Sequence, residues 1–185
     1  ADEIFTGFGR TGAWFVCQEE GVAPDLICCG KALGGGLPIA VVAGRADLMA
    51  DWRRGGEALH TATFIAHPLA CAAALATLDL IEADDLPGRA RRLGALLDER
   101  SEAWRRDGAV RAVRGRGLFH VLELDSADRA AAVAEAALER GLILLASGPR
   151  LQIAPPLTIA DDQWTHCLDT LGELLAATRE PLSAD

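Results

Sequence analysis

Lysine is almost absent from this chain. Of its 18 basic side chains Lys31 is the single lysine, and the other 17 are arginine. The two trade freely as solvated cations, but only an amine can lose its proton and attack a carbonyl. Here one lysine stands beside an apolar run and three glycines, in Ile27-Cys28-Cys29-Gly30-Lys31-Ala32-Leu33-Gly34-Gly35-Gly36. That setting points to a Schiff-base lysine. The count alone leaves a second reading open, a chance survivor of an arginine- and alanine-rich codon bias.

Positive charge is also scarce. A formal net charge of −9 gives no electrostatic footprint for nucleic acid or an anionic membrane face. No apolar run reaches transmembrane length, and no stretch reads as a secretory signal. Cys-x-x-Cys does not occur and the four histidines are scattered, so no metal site is expected. Cys17, Cys28, Cys29, Cys71 and Cys167 are odd in number and lie in apolar surroundings. They read as reduced core thiols of a cytoplasmic protein. Length suits one domain, or one and a part.

Three blocks carry the chemistry. The first is Asp2-Glu3-Ile4-Phe5-Thr6-Gly7-Phe8-Gly9-Arg10-Thr11-Gly12; the second holds Lys31, 29 residues after Asp2. The third is His60-Thr61-Ala62-Thr63-Phe64-Ile65-Ala66-His67-Pro68. In this order and at these spacings the chain resembles the class III aminotransferases, pyridoxal-phosphate enzymes of fold type I. The resemblance covers most of the chain and weakens between about Arg89 and Leu142. It implies an α/β fold: the C-terminal part of a large cofactor-binding domain over 1–86, then a small C-terminal α+β domain over 87–185. Residue 1 is Ala, the sole methionine is Met49, and the chain opens on what reads as the end of a strand. A fragment is therefore expected, with the phosphate-cradling loop and the aromatic that covers the cofactor ring lying upstream.

Periodicity supplies the elements. Asp25–Cys29 and Ile39–Gly44 are continuous apolar runs flanked by Gly or Pro, predicting buried strands. Pro68 suits the first turn of a helix carrying Leu75, Leu78 and Ile81, apolar nearly all round and so expected to be buried. A second helix is predicted from Leu86 to Asp107, with a stripe of Leu86, Leu93, Leu97 and Trp104 ending at Gly108. Gly117–Leu124 reads as a strand, followed by a helix through Ala130, Val133, Ala134, Ala137 and Leu138 that stops at Gly141. Strands over Leu142–Ala146 and Leu151–Ala154 and a last helix through Trp164, Leu168, Leu171 and Leu175 complete the small domain.

The resemblance assigns roles. Lys31 would hold pyridoxal 5'-phosphate and move the proton at the substrate carbon, which requires an amine made neutral by burial or neighbouring positive charge. Asp2 would pair with the pyridine nitrogen, and Ile4, two residues on along a strand, would pack on the ring. Phe5 departs from the family, many members of which carry Gln there to bond the ring hydroxyl. Thr63 would bind the cofactor phosphate of a partner subunit, implying a homodimer. His67, standing where many relatives have Asn, reads as a helix cap. Arginine commonly stands at the position of Gln152 in relatives that bind an α-carboxylate. Glutamine cannot make that bidentate ion pair, and Arg150 lies on the same strand face. Both are candidate substrate-binding residues, with pyruvate or another oxo acid in place of 2-oxoglutarate.

The expected reaction is transamination between an amine or ω-amino acid and an oxo acid. A family aminomutase or decarboxylase, or a catalytically silent structural piece, are the alternatives. A nucleotide-hydrolase phosphate loop is excluded, because Ala32 follows the lysine and the glycines come after it.

Overall fold

The computed structural model describes residues 1–51 and 62–179. His60 and Thr61, from the third motif, lie outside the described residues. The chain divides into two compact units, Ala1–Gly88 and Arg89–Asp185.

The first unit contains α1 (Val16–Glu19), β1 (Leu26–Cys29), a 3-10 turn over Lys31–Gly34, β2 (Val41–Gly44), α2 (Ala46–Ala50) and α3 (Pro68–Ala83). β1 and β2 pair antiparallel, Cys29 opposite Val41 and Leu26 opposite Gly44. Asp2 forms a parallel bridge with Cys28. The Glu3 amide donates to the Cys28 carbonyl at 2.9 Å, and the Cys28 amide donates to the Ala1 carbonyl at 2.8 Å. β1 is thus flanked on both sides.

Burial in this unit differs from expectation. β2 is exposed along its length, and in β1 only Cys29 is buried. A continuous apolar strand signals cover on both faces, and this unit supplies no such cover. Likewise α3 buries Ala70, Ala74 and Ile81, while Leu69, Leu75 and Leu80 are about two-thirds exposed (62%, 65% and 60%). The helix is apolar all round but packed on one side. Pro68 does sit at its first turn, where the missing N–H costs nothing. Cys29 is the one buried thiol among the five cysteines, the others being half-buried. The expectation of core thiols holds for it alone.

The second unit is built on a four-stranded antiparallel sheet in the order β3-β4-β6-β5. Its strands are β3 (Ala112–Arg116), β4 (Phe119–Glu123), β5 (Leu145–Ser147) and β6 (Arg150–Ile153). Its helices are α4 (Leu86–Arg106), which starts in the first unit, α5 (Ala127–Glu139) and α6 (Asp161–Ala177). The predicted stripe on α4 is real: Leu93 and Leu97 are fully buried in a core with Leu122, Leu151, Trp164 and Leu175. Each such side chain stabilises the unit by about 1.5–3 kcal/mol relative to exposure. The Trp164 indole N–H is satisfied by the Leu93 carbonyl at 3.0 Å. The Ser126 hydroxyl caps α5 by accepting from the Arg129 amide at 3.1 Å. The Arg129 side chain is itself buried, donating to the Leu175 and Ala109 carbonyls at 2.8 and 3.0 Å and pairing with Asp125.

Two strand expectations are corrected here. The single strand over Gly117–Leu124 is one arm of a hairpin, whose other arm, β3, contains the Arg-Gly-Arg run. Gly115 adopts φ +149°, and a Cβ there would strike the Phe119 carbonyl and His120. This glycine admits the close approach of β4, in a segment for which the sequence predicts no strand. The strand expected over Leu142–Ala146 begins only at Leu145, because Leu142 turns into the core after Gly141 (φ +81°).

Candidate functional site

Asp2 and Lys31 come to the same edge by backbone pairing. Asp2 and Cys28 are bridged in parallel, and β1 ends at Cys29. Gly30 and Lys31 therefore leave the sheet at the carboxyl end of a strand whose neighbour carries Asp2. Ligands of open parallel α/β sheets bind beyond that end of the strands. The Asp2 carboxylate accepts from the Ile4 amide at 3.0 Å, which turns the chain out of the strand. The Ile4 methyl lies 3.5 Å from where a Cβ on Gly30 would stand, so the two segments run close together. Ile4 itself remains 37% exposed at this edge.

Lys31 starts the 3-10 turn with φ +40°. A non-glycine residue in the left-handed region costs about 1–2 kcal/mol, and such residues concentrate at functional sites. The turn is held by the Leu33 amide donating to the Gly30 carbonyl at 3.0 Å. Gly35 (φ +57°) closes it against α3, where any Cβ would collide with the Thr77 hydroxyl. That close approach is what the glycine run after the lysine provides. The Lys31 side chain is exposed, and its Nζ lies over the Phe5 ring, 4.2 Å from the centroid. The burial expected around the amine is not supplied by this unit.

Glu3 was not singled out from sequence. It is 2% exposed, and its carboxylate accepts from the Cys17 amide at 2.9 Å and from the Thr6 hydroxyl. It anchors the loop that carries Phe5 to Gly12, so its role is to shape the site from below. The adjacent acids Asp2-Glu3 at a strand end were the available signal, since strand alternation sends one outward and one inward. Burial, and then the charge of Glu3, push the Cys29 thiol up. Burial pushes the Arg10 guanidinium down.

Thr63 is exposed, in a turn over 63–66 that precedes α3. Phe64 and Ile65 beside it are also exposed, at 74% and 65%. His67 occupies the N-cap position of α3, but its side chain makes no capping bond; it packs near Phe64 with ring centroids 5.8 Å apart. The expected cap is absent: an N-cap side chain would serve the Leu69 or Ala70 amide, and the His67 ring lies near Phe64 instead. An apolar hollow of about 150 Å³, lined by Leu37, Pro38, Phe64, His67, Leu69 and Ala70, joins the glycine-rich segment to the start of α3.

Arg150 and Gln152 belong to the second unit. In β6 they share one face, while Leu151 and Ile153 are buried on the other. Gln152 stands opposite Val121 of β4 and Leu145 of β5; Arg150 stands opposite Glu123 and Ser147.

The residue set at the Asp2–Lys31 edge fits pyridoxal phosphate in its donor chemistry. It offers a carboxylate for a pyridinium, a primary amine for an aldehyde and an aliphatic side chain for a ring face. Among the described residues no group of His, Cys, Asp and Glu could hold a metal ion.

The family model for aminotransferase class III matches residues 1–175. A 4-aminobutyrate aminotransferase of Mycobacterium leprae is 40% identical over 95% of this chain and 41% of its own length. A leucine/methionine racemase of Thermococcus litoralis is 39% identical over 97% of this chain and 42% of its own. An amine transaminase from an uncultivated Pseudomonas species, solved in its PLP-bound form, superposes with a TM-score of 0.87 at 32% identity, over 96% of this chain and 44% of that one. The chain thus spans about two-fifths of the length of the curated relatives it matches. A match that begins at the Asp2 segment and runs unbroken through Lys31 and the sheet of the second unit places this chain in the class III aminotransferase family.

Proposed function

We propose that the protein carrying this chain is a pyridoxal-phosphate-dependent aminotransferase, moving an amino group between an amine or ω-amino acid and an oxo acid. The observation that carries this reading is the parallel Asp2–Cys28 bridge, which brings an acid beside the end of the strand that leads into the single lysine. The residues 1–86 would be the end of the cofactor domain, and 87–185 the small C-terminal domain.

When bound, the cofactor supplies an electron sink for the substrate carbon. Lys31 would hold it covalently through its amine and, once released by the incoming substrate amine, take the proton from the substrate carbon as general base. The left-handed turn fixes where that amine starts. Asp2 would keep a proton on the pyridine nitrogen, its carboxylate oriented by the Ile4 amide. Ile4 would cover one face of the ring and exclude water from it. Thr63 would donate its hydroxyl to the cofactor phosphate of a partner subunit, making the working unit a homodimer. Gln152 and Arg150 would meet the substrate's acid group. Glutamine at 152 cannot make the bidentate ion pair of the usual carboxylate clamp, so pyruvate or another oxo acid is proposed as acceptor in place of 2-oxoglutarate. No helix among the described residues is long and apolar enough to cross a membrane, and a cytoplasmic location is proposed.

The test is reduction with borohydride after adding pyridoxal phosphate, followed by peptide mapping. A stable adduct on Lys31 is expected; its absence from a folded, cofactor-saturated protein would overturn the reading. Because one relative is a racemase, the product assay should follow oxo-acid formation and α-proton exchange together. Exchange without oxo acid would replace transamination by racemisation at the same site.

A further inference from the structure

Phe5 and Lys31 are each three residues beyond the bridged pair Asp2 and Cys28. Parallel pairing therefore carries them away from the sheet edge together. Ile4 and Gly30 also run close together on the way, the Ile4 methyl lying 3.5 Å from where a Cβ on Gly30 would stand. The Phe5 ring is half-buried and the Lys31 side chain exposed, with the amine 4.2 Å from the ring centroid. The ring is anchored from the loop that Glu3 ties down. Lys31 is anchored by its left-handed turn.

We propose that Phe5 is a positioning residue for the Lys31 amine, acting through its ring face before any cofactor is held. This inference rests on the reading of Lys31 as the cofactor lysine. An aromatic face attracts a nearby ammonium electrostatically, and does not so attract the neutral amine. The neutral amine is the nucleophile. Lys31 must therefore give up the ring contact in order to react, and the contact parks the charged amine at the sheet edge in one place. A glutamine at this position would offer the amine a dipole and hydrogen bonds instead of a ring face.

The experiment compares wild type, Phe5→Leu and Phe5→Trp in the protein that carries this chain, dialysed free of cofactor. An N-hydroxysuccinimide acetate ester is applied at pH 8, and acetylation of Lys31 is timed by peptide mapping. Phe5→Leu keeps an apolar side chain of similar bulk and removes the ring, so the Lys31 rate should rise about two- to five-fold. Phe5→Trp, with the stronger ring face, should react no faster than wild type. Equal rates in wild type and Phe5→Leu would overturn the proposal, as would a Phe5→Trp rate matching that of Phe5→Leu. Should Phe5→Leu fail to fold, the Phe5→Trp comparison still decides, since a clear rise there contradicts a ring contact. Borohydride trapping on unacetylated portions of the same preparations, after pyridoxal phosphate is added back, separates the two ideas. An adduct on Lys31 with no rate difference refutes the role of Phe5 alone, and a rate difference without an adduct refutes the cofactor reading alone.

Discussion

At the scale of single residues, the proposed chemistry turns on Lys31, the single lysine of this chain. Lys31→Ala should abolish the borohydride-stable adduct and lower turnover by about 10²- to 10⁴-fold. Lys31→Arg should do no better, because guanidinium neither gives up its proton nor attacks an aldehyde. An adduct surviving in Lys31→Ala at any site with matching turnover would end the assignment. Asp2 is tested differently. Asp2→Asn keeps the shape and an acceptor oxygen for the Ile4 amide but loses the charge that would hold a proton on the ring nitrogen. Cofactor should still bind, while single-turnover proton abstraction slows by about 10²-fold or more. Unchanged single-turnover rates would show that Asp2 is not the ring partner.

At the scale of elements, the second unit depends on one face of each strand and helix. β6 illustrates this: Leu151 is fully buried, and Arg150 and Gln152 lie on the opposite face. Leu151→Ala should lower stability by about 2–5 kcal/mol, the range for a buried leucine that leaves a cavity. Ile143, at 89% exposure, lies close by in sequence and is apolar too. Ile143→Ala should stay within about 0.5 kcal/mol of wild type. Urea unfolding of both variants checks the contrast, and similar midpoints would mean the sheet face is misassigned. Sequence periodicity located this core because an amphipathic element writes its buried face into its own residues. It missed β3, where Arg-Gly-Arg has no apolar alternation and the glycine instead makes room for the neighbouring strand.

At the scale of the whole molecule, the first unit leaves apolar side chains uncovered on β2 and on the outer face of α3. The proposed homodimer makes a sharper claim, that Thr63 serves the neighbouring subunit's site. Subunits bearing Lys31→Ala, mixed with subunits bearing Thr63→Ala, form heterodimers in which one site carries both defects and the other neither. Up to half of one dimer's activity should return on mixing. If Thr63 serves its own subunit, each site carries one defect and nothing returns. Activity assays before and after subunit exchange distinguish the two arrangements.

The sequence by itself determined the chemistry of the site's residues. An amine, an acid at fixed distance before it and a glycine run after it are read directly, because reactivity belongs to side-chain type. It also determined most helices, whose apolar stripes are local. Only the tertiary structure decided which segments meet. The Asp2–Cys28 bridge joins residues far apart in the chain, and no local pattern encodes such a pairing. The roles of Glu3 and Phe5 emerged the same way, since a buried carboxylate and a ring beneath an amine exist only once the loop has folded back. Burial was the property most often misjudged from sequence. Apolar runs in β1, β2 and α3 report that cover is wanted, while the cover itself depends on what packs against them, and packing is a property of the assembled molecule.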